Sequence, residues 1–217
     1  PGALLRGAIK RLGEPVIRTA ALQAMKVLGQ QFVLGQTIEE AQHRARTMEA
    51  KGYTYSYDML GEAAMTAADA AAYDESYRQA ILALGGRATA PLMRDNPGIS
   101  IKLSALHPRY DALQKNRVMT ELVPRVTDLA VLARDRNIGI NIDAEEADRL
   151  DLSLDVIEAV LASPQLQGWD GFGVVVQAYG KRASAVIDWL YALSEKLDQK
   201  LMVRLVKGAY WDTEIKH

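Results

Sequence analysis

The 217-residue sequence contains no cysteine. Disulfides, thiol nucleophiles and thiolate metal sites are thereby excluded, and the absence suits a reducing compartment. Histidine is nearly as scarce. His43, His107 and His217 are the three present, no two of them share the spacing by which a helix presents a metal, and no metal site is expected. The net charge of −1 leaves no electrostatic footprint for nucleic acid, so none is expected to bind this segment. No apolar run reaches the length of about 20 residues that spans a bilayer. Arg6, Lys10 and Arg11 interrupt what would have to be the apolar core of a signal peptide. Neither a G-x-G-x-x-G after the first strand nor a Walker A loop occurs, which removes the usual nucleotide fingerprints. What remains is an ordinary globular composition, 49% hydrophobic and 24% charged.

Against that background one stretch stands out: Leu201-Met202-Val203-Arg204-Leu205-Val206-Lys207-Gly208-Ala209-Tyr210-Trp211. Alternation places Val203 and Leu205 on one face of a strand and Met202, Arg204 and Val206 on the other. The strand reads as buried, and a charge inside a buried strand is costly unless it is paired or bound to a ligand. Gly208 permits a tight exit with close backbone approach, and two aromatics follow at once.

Read in order, residues 1–52 form a helical arm. Pro15 can open a helix at its first position, Val16, Ile17, Ala20, Met25, Leu28, Phe32 and Val33 keep helical spacing, and Thr37-Ile38-Glu39-Glu40 is a capping-box pattern. From residue 53 the rhythm changes. Strands are expected at 53–58, 98–104, 138–143, 173–179 and 200–206. Helices are expected at 66–84, 111–136 (with Pro124 as a kink or restart), 152–161 and 183–197. Strands alternating with helices imply a parallel sheet with helical crossovers.

Two architectures fit, an open doubly wound sheet and a (β/α)8 barrel. The polar residues favour the barrel. Asp58 with Glu62, Lys102, Asp143, Gln177, and Arg204 with Lys207 fall at or near the C-terminal ends of five successive strands, and a barrel gathers all such ends around one mouth. The expectation is an α/β fold with an incomplete (β/α)8 barrel of about five strands over 53–217, the chain reading as cut at its C-terminus. Residues 211–217 read as the first turns of a further helix. Lys102, Lys207 and Arg204 would suit an anionic ligand, Asp143 and Glu62 could balance that charge or orient a substrate amine, and Gln177 could hydrogen-bond a heterocycle. Asp148, Arg149, Glu158 and Lys196 read as solvated surface charges, and His107 as a loop hydrogen-bonder.

The segments 101–110, 141–146 and 204–212, together with 57–63 and 175–179, closely resemble the proline dehydrogenase domain of the bacterial bifunctional flavoenzyme proline utilization A. That resemblance implies a barrel holding FAD non-covalently and oxidising L-proline to Δ1-pyrroline-5-carboxylate by hydride transfer to flavin N5, the first step of proline catabolism to glutamate. It implies that Lys102 meets the substrate carboxylate, Tyr210 walls the pocket and Glu62 belongs to an ion-pair gate. Asp143 and Arg204 would be the catalytic pair. Ala144, Gln177, Arg204, Val206, Lys207, Gly208, Ala209 and Trp211 would contact the cofactor.

The resemblance further implies a quinone electron acceptor and a parent protein with an aldehyde dehydrogenase domain. Its location would be cytoplasmic, with peripheral association at the inner face of the bacterial membrane as a variant. The family's paired arginines for the substrate carboxylate lie on a last barrel helix outside residues 1–217, so this stretch alone is expected to be inactive. Two alternatives stay open: a Schiff-base lyase or aldolase using Lys102 or Lys207, and an inactive barrel fragment with only a packing role.

Overall fold

The computed structural model describes residues 2–215; the end of the helix expected over 211–217, with His217, lies outside them. The chain forms two compact units, Pro1–Tyr53 and Thr54–His217. In the first, helix α1 (Gly2–Phe32) is followed by α2 (Ile38–Glu49). Pro15 opens no helix; it sits inside α1. A proline there removes one amide donor, yet α1 continues through it. The apolar residues Val16, Ile17, Met25 and Leu28 of α1 are exposed. Thr37 caps α2 by accepting the Glu40 N–H at 3.2 Å. The Glu40 carboxylate accepts from Gln36 N–H at 2.9 Å rather than from Thr37, so half of the expected capping box is present.

The second unit alternates strand and helix: β1 (Ser56–Asp58), α3 (Ala67–Gly85), β2 (Gly98–Ile101), α4 (Lys115–Asp135), β3 (Gly139–Ile142), α5 (Leu150–Leu161), β4 (Phe172–Gln177), α6 (Ala183–Leu197), β5 (Met202–Val206) and the short α7 (Trp211–Glu214). The five strands are all parallel and pair in chain order. This is the α/β arrangement of consecutive βα units in a barrel. α3 starts with a full capping box between Thr66 and Asp69. α4 passes through Pro124 without a restart, its buried stripe Val118, Leu122, Val126, Leu129 and Ala133 holding it to the core by helical spacing.

Register divides the strand residues into two faces. Tyr57, Ile99, Ile101, Ile140, Ile142, Phe172, Val174 and Val176 point outward and are buried beneath the helix layer, each fully covered large side chain contributing roughly 1.5–3 kcal/mol. The inward set carries Ser56 and Asp58, Ser100, Asn141, Gly173, Val175 and Gln177, and Met202, Arg204 and Val206. The sheet is therefore apolar outside and polar inside, with its core between strands and helices.

β5 departs from the expected buried strand. Val203 and Leu205 occupy the outward face as alternation requires, yet they are 46% and 60% exposed. β5 is an edge strand paired only with β4 among the described residues, and no described helix covers its outer face. β1 and β2 are also shorter than the alternating sequence suggested. Their polar ends bend out of the ladder: after β2, Lys102 opens a 3-10 turn over Leu103–Ala105.

Candidate active site

Each strand delivers a polar group to the same end of the sheet. Asp58 is the last residue of β1, Lys102 and Asp143 are the first residues past β2 and β3, Gln177 ends β4, and Arg204 lies two residues before the end of β5. Lys102 is at the centre. Its ammonium donates to Asp58 Oδ1 at 2.6 Å and to Asp143 Oδ2 at 3.0 Å, and its backbone N–H donates to the buried Tyr77 hydroxyl at 3.2 Å. Burial opposes the charged ammonium, but the hydrogen bonds it donates to the two carboxylates outweigh that and push the Lys102 pKa up. Burial likewise pushes the Tyr77 phenol up to about 12. Two of the three ammonium N–H groups are engaged, which leaves one for a ligand.

Arg204 crosses the concave face. Nη2 donates to Ser56 Oγ at 2.7 Å and Nη1 to Ser100 Oγ at 3.1 Å, with Asp143 Oδ1 at 3.7 Å from Nη1. A side chain of β5 thus reaches β1 and β2, so the sheet is strongly curled. Lys102, Arg204, Asp58 and Asp143 form one cluster with two charges of each sign. The two signs side by side suit a ligand that carries both a carboxylate and an amine.

The loops above are tied in sequence. Ser104, after β2, accepts the N–H of Ala63 at its hydroxyl (3.0 Å) and that of Ala64 at its carbonyl (2.9 Å). Its own N–H donates to Glu145 Oε1 at 3.0 Å. The Glu145 carbonyl accepts from Gln177 Nε2 at 3.0 Å, and Gln177 Oε1 accepts the Ala209 N–H at 2.8 Å. Burial raises the Glu145 carboxyl pKa against the lowering effect of Ser104 and Arg149. Glu214 of α7 accepts from the Ala147 N–H and the Tyr179 hydroxyl.

Gly208 has φ +123°, and a Cβ there would collide with the Tyr179 ring, so a close backbone approach is indeed required at that position. Trp211 lies edge-on to Tyr179 with ring centroids 5.8 Å apart. Tyr210 is half-buried; burial first, then the charges of Glu62, Glu146 and Glu145, push its phenol up.

Not every expected residue joins the cluster. Lys207 and Glu62 are exposed, and neither forms an ion pair among the described residues. Lys207 lies just past the end of β5, with its side chain exposed. Val206 and Lys207 act through backbone carbonyls that accept from Ala178 N–H (2.8 Å) and Tyr179 N–H (3.3 Å). Ala144 is half-buried beside Asp143. Gln177 spends its amide on the two neighbouring loops.

Arg149 is no bare surface charge: it pairs with Glu145 (3.2 Å) and Glu146 (3.1 Å) and lies 5.8 Å from the Tyr110 ring centroid. Lys196 and Glu158 do lie at the surface, paired with each other at 2.8 Å. His107 accepts the Arg109 N–H at 3.1 Å, as a loop hydrogen-bonder should. A cavity of about 330 Å³ opens among β3, β4, α5 and α6. Ile142, Ile157, Val174 and Val186 give it apolar walls, and the polar groups of Asp143, Glu145 and Gln177 reach its lining.

Ser56, Ser100, Tyr77 and Glu145 are the residues that reasoning from the sequence missed. A signal for the serines exists: Ser56 precedes Asp58 by two, Ser100 precedes Lys102 by two, and Asn141 precedes Asp143 by two. Period two puts both members of each pair on one face.

These features define a βα-barrel domain whose polar groups converge at the C-terminal mouth of the strands, the location of active sites in that fold. The chain belongs to the proline dehydrogenase family, which matches residues 41–217. It is 57% identical over 212 residues to the bifunctional protein PutA of Klebsiella aerogenes and to that of Escherichia coli (strain K12), covering 98% of this chain and 16% of each relative. It is also 27% identical over 215 residues to a proline dehydrogenase of Deinococcus radiodurans, of which it covers 61%. A crystal structure of a mutant of Bradyrhizobium japonicum proline utilization A superposes with a TM-score of 0.80 at 58% identity, over 96% of this chain and 21% of that one. Proline utilization A from Bdellovibrio bacteriovorus, at 24% identity over 92% of this chain and 22% of that one, shares the fold with a TM-score of 0.86. The chain thus spans 16% of the length of the PutA relatives it matches. Among the described residues no helix is long and apolar enough to cross a membrane.

Proposed function

We propose that this chain carries the substrate-binding and flavin-facing part of a proline dehydrogenase, acting in the FAD-dependent oxidation of L-proline to Δ1-pyrroline-5-carboxylate. The observation that carries the reading is the charge-balanced cluster of Lys102, Asp58, Asp143 and Arg204 at the mouth of a barrel of this family. Proline is a zwitterion with a carboxylate and an ammonium about one residue's length apart, and the cluster offers both partners.

In this reading the remaining Lys102 N–H holds the substrate carboxylate, Asp143 stands beside the substrate amine, Tyr210 walls the pocket and Glu62 gates it. Fixing the carboxylate fixes the ring, and the ring carbon C5 gives up its hydride only from a well-placed position and only once the amine has lost its proton to solvent, so that the nitrogen lone pair can form the C=N bond. FAD, when bound, supplies the two-electron acceptor. Ala144, Gln177, Val206, Lys207, Gly208, Ala209 and Trp211 are assigned to hold it, and Arg204 to place positive charge where electron density accumulates.

The same reading takes residues 1–52 as an arm and 53–217 as the barrel portion. It sets the chain within a longer cytoplasmic parent that bears an aldehyde dehydrogenase domain, passes electrons to a quinone and associates peripherally with the inner face of the membrane. The Schiff-base alternative fares worse. A nucleophilic lysine must lose its proton near neutrality, whereas two carboxylates hold the Lys102 ammonium charged and Lys207 is exposed.

The test is kinetic, on the FAD-loaded full-length protein. Arg204→Ala should lower kcat more than it raises KM for proline, and Lys102→Ala should chiefly raise KM and weaken carboxylate analogues. The reverse pattern, or a wild-type protein that neither binds flavin nor is reduced by proline, would overturn the assignment.

A further inference from the structure

An arginine within reach of a carboxylate ordinarily closes on it, in hydrogen bonds of about 2.7–2.9 Å. Arg204 does not. Its guanidinium stops 3.7 Å from Asp143 and is held instead by two neutral oxygens from the far side of the sheet, Ser56 Oγ at 2.7 Å and Ser100 Oγ at 3.1 Å. Those hydroxyls lie 3.4 Å from each other, and Ser100 is buried at 1% exposure. Asp143 meanwhile gives its other oxygen to Lys102 at 3.0 Å. The serines are thus the acceptors that separate two cations competing for one carboxylate.

Resting on the function proposed above, we propose that Ser56 and Ser100 are positioning residues for proline oxidation: they hold the Arg204 guanidinium off Asp143, so that Asp143 stays with Lys102 and the arginine stays on the concave face. Remove both hydroxyls and the nearest acceptor for the guanidinium is the Asp143 carboxylate. The arginine closes on it, its charge is neutralised locally, and the electron-rich reduced cofactor loses stabilisation.

The experiment uses the FAD-loaded full-length protein and the double variant Ser56→Ala/Ser100→Ala. Turnover should fall about tenfold while KM for proline stays within about twofold. A tenfold loss of preference for reduced over oxidised flavin appears as a fall of about 30 mV in the two-electron midpoint potential. A crystal structure of the cofactor-free variant should show Arg204 in direct contact with Asp143, and Ser56→Thr in place of Ser56→Ala should restore part of the potential. Should the double variant fail to fold, Ser56→Ala alone, at an exposed position and lacking the shorter of the two bonds, should show an intermediate loss. An unchanged potential and kcat in whichever variant folds, or an Arg204 that keeps its place without the hydroxyls, would overturn the inference. A wild type that proline does not reduce sinks the functional reading; a wild type that is reduced, with variants equal to it, sinks only the role of the serines.

Discussion

Lys102 is bound to two carboxylates, and the shorter contact should be the weaker one. Asp58 lies 2.6 Å from the ammonium with its side chain 51% exposed, while Asp143 lies 3.0 Å away at 16% exposure. Distance alone favours Asp58 by only a seventh. Screening runs the other way: at the dielectric of water the Asp58 attraction is about 1.6 kcal/mol, whereas at an effective dielectric of 20 the Asp143 attraction is about 5.5 kcal/mol. Desolvation and ordering remove much of both, leaving about 0–1 kcal/mol for the exposed pair and about 2–3 kcal/mol for the sheltered one, below the 3–5 kcal/mol that breaking a fully buried pair costs. Lys102→Met should therefore destabilise the protein by about 3 kcal/mol near neutral pH. Urea unfolding followed by circular dichroism would measure it, in two double-mutant cycles, Lys102→Met with Asp143→Asn and Lys102→Met with Asp58→Asn. The first should give a coupling of about 2 kcal/mol and the second under about 1 kcal/mol, taking the same exposures into account. A larger coupling to Asp58 than to Asp143, or a loss under about 1 kcal/mol for Lys102→Met, would refute the claim that solvent exposure outranks distance here.

Gly208→Ala should cost about 1–3 kcal/mol, since φ +123° is a region side chains avoid. The Tyr179 ring must also move, so Trp211, packed against it, should report the change in fluorescence; an unaltered emission spectrum and melting curve would contradict the turn geometry. His107 should make the protein acid-sensitive. Burial lowers its pKa despite the Glu121 carboxylate 3.2 Å away, so the folded state binds a proton less readily than the unfolded chain. The contribution is fully present above the unfolded value of about 6.5 and is lost as pH falls through the lowered folded value. His107→Asn should flatten the stability–pH slope below that point, which chemical denaturation at several pH values would reveal.

Much of the architecture was legible in the sequence, for a physical reason. A charged or amide side chain in or at the end of an apolar run is an anomaly visible without coordinates, and five such residues in succession on alternating strands and helices imply one mouth. Asp58, Lys102, Asp143, Gln177 and Arg204 were found that way. Ser56 and Ser100 were not, because a serine costs little anywhere and signals nothing until a partner is known. Tyr77 and Glu145 were hidden for another reason: a helix tyrosine looks like core, and the second of three adjacent acidic or small residues gives no sign that it alone is buried. The β5 strand misled because an apolar alternating pattern states which residues share a face but not whether anything covers that face. Val203 and Leu205 have the composition of a buried outer face and stand open.

The ties between loops have a consequence for grafting. Ala63 and Ala64 rest on Ser104, Ser104 on Glu145, Glu145 on Gln177, and Gln177 on Ala209. Each joint pairs a group from one loop with a group from its neighbour, and each uses a side chain as one half. No single loop can therefore be transplanted from another barrel as an independent cassette. A replacement after β3 that omits Glu145 orphans the Ser104 amide on one side, and one that shifts the backbone at 145 releases Gln177, and with it Ala209, on the other. The smallest exchangeable unit on this rim is a pair of adjacent loops together with the joint between them.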